Sequence, residues 1–409
     1  MLRYLRREFN FVSGNVLILL IVWAVTDFAY LLPDTYYSRF VESLGASPFL
    51  IGAILSVPLF IMAFLQLAGG YWADKQGRRF LIISASFGRA IVFLIFAVAP
   101  TWHFILLGEI LVGISTISQP ALMAILADSL PPEKRGLGFS ISMVVGATSI
   151  LSPIVVGMLY LKYGLIDSMR IAYLIVSVCW FASGLMLFKL TETLKTEKSN
   201  ASWTEVFKQY PKALKECISV WKLVPKSMLY LLLIFTPVTF FIRMCMPYYV
   251  LYADHVLKIE MFQWAILQTF YSLVFYSLLL PTGKLVDVFG RKKPLLLSSI
   301  FFAFGIVLFM YGDVLRLYTY FALSAIGNAL IFTAYPSLQS DLTPKEYRGK
   351  VMGFSNFIDY LLGSGALLLG GFLYENVSPI IPFLLLLVTM IFTAVTTSLF
   401  ITEPKTKEN

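Results

Sequence analysis

The chain has few charged residues: Asp, Glu, Lys and Arg make up only 13% of its 409 residues, whereas soluble domains carry about 25%. This shortage excludes an ordinary water-soluble globular protein. Histidine is also scarce, with only His103 and His255, and neither H-E-x-x-H nor G-x-S-x-G occurs. The metalloprotease and serine-hydrolase sites that those motifs build are therefore excluded, and we predict no enzymatic activity.

Phosphate-binding and metal-binding motifs are missing as well. No G-x-x-x-x-G-K-[ST] occurs, so the chain lacks the loop with which P-loop proteins bind ATP. The three cysteines, Cys179, Cys217 and Cys245, have no metal-ligand spacing. We interpret them as small packing residues and predict no metal and no other cofactor.

Hydrophobic residues, in contrast, make up 58% of the chain. A run of about 20 mostly apolar residues is enough for a helix to cross a hydrocarbon layer about 30 Å thick. Such runs lie near 14–33, 47–71, 80–99, 102–127, 138–161, 168–190, 227–252, 260–283, 294–312, 316–339, 351–374 and 378–401. We therefore predict an all-α membrane protein with twelve transmembrane helices.

Two loop motifs recur at a fixed distance of 213 residues. The matching positions are Gly70, Asp74, Gly77, Arg78 and Asp128 in the first copy and Gly283, Asp287, Gly290, Arg291 and Asp341 in the second. Each copy holds six predicted spans, so both copies enter and leave on the same side of the membrane and the repeat is parallel. We predict halves at 1–190 and 227–409, joined by an amphipathic linker at 191–226 that acts as a tether or as a regulatory segment.

The basic residues define the orientation. With the N-terminus inside, 25 of the 32 Lys and Arg residues fall in inner segments and five fall in outer loops. Because positive residues are retained in the cytoplasm during insertion, both termini are predicted to be cytoplasmic. The net charge of +9 is thereby explained by basic residues that gather on one side of the membrane; we expect the lipid bilayer as a partner and no nucleic acid.

The sequence G-x-x-x-D-x-x-G-R-R between spans 2 and 3, with its second copy between spans 8 and 9, resembles the signature loop of the major facilitator superfamily. The spans, the parallel halves and the long central connection agree with this resemblance over essentially the whole chain. It implies two parallel six-helix bundles, transport by alternating access between them, and a monomer.

The resemblance also implies a role for the acid of the loop. In the family, the residue corresponding to Asp74 contacts the start of span 11 when the transporter opens outward, and residues matching Arg78 and Asp128 extend that contact as an ion pair. Carried over, these three residues form a cytoplasmic latch, and their second-copy equivalents form its counterpart. The alternative is a topology signal combined with helix caps, in which Gly70 and Gly77 permit close packing and a tight turn.

Five ionisable residues fall within predicted spans, where the bilayer selects against them unless they pair or line a cavity. They are Asp27, Arg89, Glu109, Arg243 and Asp359. The first four lie at similar depths and predict a partly neutralised cluster in which Asp27 carries the proton. Asp359 either has that role in the second half or forms a hydrogen bond within the packing of span 11. Alternatively, Asp27 or Glu109 forms a helix-packing ion pair with Arg89.

Aromatic and amide side chains are the candidates for lining the cavity. They are Tyr30, Gln119, Phe240, Phe241, Gln268, Tyr271 and Asn328. Such a mixture with few charges favours an amphiphilic organic solute. Residues 30–47 resemble drug:proton antiporters, but Glu109 stands where those proteins usually have an arginine.

These observations together favour a secondary active transporter in the cell membrane that uses protons to export a small amphiphilic solute. A proton-coupled importer of a metabolite is the alternative within transporters. A membrane sensor that keeps the fold without transporting is the alternative outside them.

Overall fold

The computed structural model describes residues 9–194 and 224–401, except residue 345, together with residues 211, 215, 219 and 221. For residues 66–71, 73–76, 132, 135 and 136 it describes the backbone only. Every regular element in these ranges is helical. Most of the predicted linker at 191–226 lies outside the described residues.

The described α-helices follow the hydrophobic runs of the sequence. They are α1 Gly14–Asp34, α2 Tyr37–Ser43, α3 Pro48–Gln76, α4 Arg78–Ala97, α5 Trp102–Ser115, α6 Gln119–Ser129, α7 Arg135–Val145, α8 Ser152–Leu187, α9 Lys226–Cys245, α10 Tyr248–His255, α11 Met261–Phe289, α12 Lys292–Met310, α13 Val314–Asp341, α14 Arg348–Asn376 and α15 Ile381–Phe400. Short 3₁₀ turns at Thr116–Ser118 and Gly146–Leu151 join α5 to α6 and α7 to α8.

Within the described residues, eleven helical stretches are long and apolar enough to cross a membrane. The longest, Leu137–Leu187, contains 51 residues, which at 1.5 Å per residue is about 77 Å of helix and enough for two crossings. Gly164 interrupts it with φ 74° and ψ −177°, a backbone conformation that glycine adopts at little cost. This break separates the fifth predicted span from the sixth, and the prediction of a twelve-helix, all-α membrane fold is confirmed.

The chain divides into two compact units, Met1–Asp34 with Phe64–Pro211, and Thr35–Ala63 with Lys212–Asn409. Thr35–Ala63 belongs by sequence to the first repeat but packs within the second unit, so α3 contributes residues to both units. Packing boundaries and repeat boundaries are different properties, and the division at 1–190, 191–226 and 227–409 stays a prediction.

In the first unit, small hydroxyl side chains join neighbouring helices. Ser152 Oγ donates to the carbonyl of Phe28 at 2.7 Å, which links α8 to α1. Ser177 Oγ donates to the carbonyl of Ala90 at 2.7 Å, which links α8 to α4. Small polar residues of this kind allow helices to approach closely in a membrane while their hydroxyls keep a hydrogen-bond partner.

In the second unit, glycines bring α3 and α14 together. A Cβ atom on Gly52 would lie 2.3 Å from the carbonyl oxygen of Leu367, and one on Gly371 would lie 2.8 Å from Phe49 Cα. The phenol of Tyr248 donates across the same contact to the carbonyl of Pro48 at 3.2 Å. This contact therefore depends on the absence of side chains at both glycines.

Two glycine substitutions on α14 test this packing. Gly371→Ala should lower the free energy of unfolding by about 1–3 kcal/mol, because the added methyl group overpacks the contact with α3. Gly365→Ala is the matched control: nothing lies within 4 Å of its Cβ position, so the gain in helix propensity should stabilise by about 0.5–1 kcal/mol. Thermal unfolding in detergent measures both, and equal midpoints would contradict the packing.

Candidate functional site

The two signature loops turn in the same way. Gly77 lies between α3 and α4 with φ 96°, and Gly290 lies between α11 and α12 with φ 82°. Residues with a Cβ atom avoid these positive φ values, so each loop needs its glycine to reverse the chain within one residue. Gly283 is the first glycine of the second signature loop. A Cβ atom at this position would meet nothing within 4 Å, so no neighbour approaches Gly283 closely in this structure.

Each loop also carries the same ion pair. Arg78 Nη1 contacts the Asp128 carboxylate, and Arg291 Nε lies 3.0 Å from Asp341 Oδ2. The structure thus brings together two of the three residues of each predicted latch. Asp287 is exposed and forms no ion pair in the described part of the chain. The side chain of Asp74, like the surroundings of Gly70, lies outside what the structure describes, so the latch stays a prediction.

The second basic residue of each loop contacts the end of a distant helix. Arg79 Nη2 donates to the carbonyl of Phe188, the residue that follows α8, at 2.5 Å. In the second copy, Lys292 Nζ donates to the carbonyl of Ser398 near the end of α15 at 2.8 Å. A cation at a helix C-terminus satisfies free carbonyls and opposes the helix dipole. Arg79 and Lys292 correspond in the repeat because they are 213 residues apart, but no sequence signal identifies their carbonyl partners.

Arg89 lies among polar and aromatic partners of the first unit. Its Nε donates to Ser115 Oγ at 2.9 Å, and its guanidinium carbon lies 4.7 Å from the Trp180 ring centroid. Glu109 is buried, with 7% of its surface exposed, and Asp27 is half-buried. The alternative packing pair of Arg89 with Asp27 or Glu109 stays a prediction.

Arg243 and Asp359 form an ion pair in the second unit. Arg243 Nη2 lies 2.6 Å from Asp359 Oδ2, which joins α9 to α14. The sequence assigned Arg243 to a cluster with Asp27, Arg89 and Glu109 and left Asp359 outside it. The structure pairs Arg243 with Asp359 within its own unit, and the predicted cluster with Asp27, Arg89 and Glu109 stays a prediction.

The cavity candidates of the second unit form two aromatic groups. Asn328 Nδ2 donates to the Tyr271 phenol at 2.9 Å, and the Phe240 and Phe241 rings are edge-on with centroids 5.2 Å apart. Gln268 is half-buried on α11. In the first unit, Tyr30 packs edge-on against Phe93 with centroids 6.0 Å apart, and Gln119 is half-buried at the start of α6.

A further charged cluster joins α2 to α10. Arg39 binds Glu42 and donates to Asp254 Oδ2 at 2.7 Å, while its Nη1 lies 2.9 Å from His255 Nε2. The sequence did not predict this cluster. Glu42 and His255 are separated by the repeat distance of 213 residues, but the positions equivalent to Arg39 and Asp254 in the other copy are uncharged, so no shared motif marks the cluster.

Removing one partner of the Arg243–Asp359 pair should destabilise the fold. Arg243→Met leaves a charged carboxylate in the span and should cost about 3 kcal/mol, the lower end of the range for a broken buried pair, since the two side chains are 29% and 27% exposed. The double variant Arg243→Met/Asp359→Leu should recover most of that loss. Thermal unfolding in detergent measures the stability of both single variants and of the double variant. If the loss in the double variant equals the sum of the two single losses, the ion pair contributes nothing to stability.

A family model described as Major Facilitator Superfamily matches residues 15–261 and 231–409. Two solved structures share the fold at low sequence identity. A POT family transporter in complex with 5-aminolevulinic acid has a TM-score of 0.72 at 13% identity and covers 94% of both chains. The nucleoside transporter NupG has a TM-score of 0.72 at 15% identity and covers 95% of this chain and 100% of its own.

Among curated relatives, the multidrug resistance protein MdtH of Blochmanniella floridana is 28% identical over 172 residues, and the chain spans only 42% of its length. The multidrug resistance protein MdtG of Enterobacter lignolyticus is 30% identical over 148 residues, 34% of this chain and 35% of its own. An uncharacterized MFS-type transporter of Methanocaldococcus jannaschii is 25% identical over 361 residues, 84% of each chain. Because the family model matches nearly the whole sequence, the chain belongs to the major facilitator superfamily.

Proposed function

We propose that this membrane transporter exports a small amphiphilic organic solute across the cell membrane and is driven by protons. The Arg243–Asp359 ion pair, held within the spans of the second unit, is the observation that carries the proposal. A charged pair in hydrocarbon costs solvation energy, and apolar residues would pack there at no such cost. The presence of this ion pair in the spans therefore favours a role in transport over a role in helix packing alone.

Aromatic and amide side chains of the second unit support an amphiphilic solute. Aromatic rings at Phe240 and Phe241 and the hydrogen-bonded Tyr271–Asn328 pair lie on helices of the same unit. Aromatic walls with a few polar groups bind organic molecules that have both apolar and polar surface. The curated relatives named as multidrug resistance proteins agree with export, although each match covers less than half of their length.

Alternating access requires contacts that hold one side of the transporter closed. We assign the inner latch to Asp74, Arg78 and Asp128, with Asp287, Arg291 and Asp341 as its second copy. The ion pairs of both copies support this assignment. Our proposal also places both termini in the cytoplasm and takes the monomer as the working unit.

Transport by purified protein in liposomes tests the proposal directly. The probes are ethidium as an amphiphile, a hydrophobic dipeptide and a nucleoside, each followed with and without an imposed pH gradient. We expect a gradient-dependent movement of ethidium that a protonophore abolishes. Movement of the dipeptide or the nucleoside alone would favour the importer. Rates equal to those of protein-free liposomes for all three probes would contradict a transporter.

The latch predicts a specific effect of Asp74→Asn. This change should leave the thermal unfolding midpoint unaltered and slow ethidium transport about tenfold, because a lost charge-assisted hydrogen bond costs about 1.5 kcal/mol. Asp167→Asn is the matched control, since this exposed acid lies far along the sequence from either loop and only approaches Arg170 at 3.9 Å. Equal rates for both variants would remove Asp74 from the latch.

A further inference from the structure

One edge of the Arg89 guanidinium takes no part in the contacts that hold this side chain. Its Nε donates to Ser115 Oγ at 2.9 Å, and its guanidinium carbon lies 4.7 Å from the Trp180 ring centroid. Nη1 and Nη2 have no hydrogen-bond partner among the described residues, and neither is one of the buried nitrogens that lack a partner. Both therefore reach open space, and together they form the fork with which an arginine binds a carboxylate.

The Trp180 indole next to this guanidinium has an unsatisfied donor of its own. Its Nε1 is buried and has no acceptor within the part of the chain that the structure describes. An indole nitrogen only donates, and a buried donor without an acceptor costs free energy. This corner of the first unit thus has more donors than acceptors, a condition that favours the binding of an acidic group.

An unpaired acid lies near the arginine, at the end of α1. Asp34 is exposed and forms no ion pair or hydrogen bond with the residues that the structure describes. Both Asp34 and Arg89 act electrostatically on the phenol of Tyr30, which lies one helical turn before Asp34. The two opposite charges are therefore near one another without forming an ion pair, so a molecule that carries both charges can contact both residues.

The space next to these two charges is aqueous. Arg89 is half-buried, Asp34 is exposed, and Tyr30 has 48% of its surface exposed. A carboxylate or a guanidinium edge without a partner is too costly to face hydrocarbon, so water reaches both groups. The Tyr30 ring packs edge-on against Phe93 with centroids 6.0 Å apart and gives this aqueous space an apolar wall.

We propose that the preferred solute is a zwitterionic amphiphile whose carboxylate binds Arg89 and whose amino group binds Asp34. This inference rests on the proposed transport of an amphiphile and specifies its charged groups. The carboxylate accepts parallel hydrogen bonds from Nη1 and Nη2 of Arg89, and the ammonium group pairs with the Asp34 carboxylate. The apolar part of the solute packs against the Tyr30 ring.

Solutes with a single charge fit this site less well. A solute with only an acid places a second negative charge near Asp34 and near Glu109, which also acts on the Tyr30 phenol. A solute with only an amine leaves the fork of Arg89 unpaired and brings a positive charge towards it. Because like charges brought together are unfavourable, a zwitterion is the class of solute that satisfies both Arg89 and Asp34.

Three fluorescent probes test the inference on the unmodified protein. Nα-dansyl-lysine is a zwitterion, dansylcadaverine is the same molecule without the carboxylate, and Nα-dansyl-norleucine is the same molecule without the amino group. Dansyl fluorescence with purified protein in detergent measures the three dissociation constants. We expect a value about tenfold lower for the zwitterion than for either relative, because each relative lacks one charge-assisted contact. Equal dissociation constants for the three probes would overturn the proposal.

Two substitutions assign the two charged groups to their residues. Arg89→Gln should abolish the preference for Nα-dansyl-lysine over dansylcadaverine, and Asp34→Asn should abolish its preference over Nα-dansyl-norleucine. Arg170→Gln is the matched control, since this arginine of the same unit only approaches Asp167 at 3.9 Å, and it should keep both preferences. An Arg89→Gln protein that binds all three probes equally less well would show a packing role and refute the proposal. If a variant fails to fold, the probe comparison on the unmodified protein still decides.

The binding assay and the transport assay fail separately. Gradient-driven ethidium transport by a protein that binds the three dansyl probes equally would refute this inference and leave the proposed function intact. A preference for Nα-dansyl-lysine in a protein that moves no solute in the liposome assay would refute the proposed function. In that case Arg89 and Asp34 would form a binding site for zwitterions that serves no transport of the tested solutes.

Discussion

The absence of water from hydrocarbon governs this structure. Every polar group within the spans must find its partner inside the protein or lose free energy. Ser152 and Ser177 meet carbonyls of neighbouring helices, and their bonds determine which helices pack together. The same constraint makes charged residues in the spans informative about function. An arginine in a span needs a partner inside the protein, whereas a surface arginine is solvated by water. Arg89 and Arg243 satisfy it differently, one with a hydroxyl and an indole ring and the other with a carboxylate.

The repeated loops apply this logic at the ends of the helices. In each copy a glycine with positive φ reverses the chain, an arginine binds the acid of the following motif, and the next basic residue binds a terminal carbonyl of the last helix of that repeat. Backbone shape, ion pair and helix cap are thereby combined in one short segment. Such a segment fixes three helix ends of one half relative to each other. Rigid-body movement of a half requires fixed positions of this kind.

Much of the fold was predictable because membrane helices are long, apolar and bounded by charge. Hydrophobic length gave the spans, and the 213-residue repeat gave the correspondence between the two loops. The candidate site was less predictable. Arg243 and Asp359 are 116 residues apart in sequence, and depth alone cannot tell which charges share a helix interface. The packing of Thr35–Ala63 within the second unit also depends on side-chain shape, which the repeat does not encode.

The duplicated halves have diverged where the charges lie. Subtracting the repeat length of 213 from positions 243 and 359 gives Tyr30 and Gly146, so the first half has an uncharged phenol and a glycine at the equivalent places. An ancestral unit used twice would have had both sites alike. The two copies therefore share their helices and loops, but only the second copy has this ion pair. A chain with the two halves exchanged would keep the same fold, but its intramembrane ion pair would lie in the other half of the sequence.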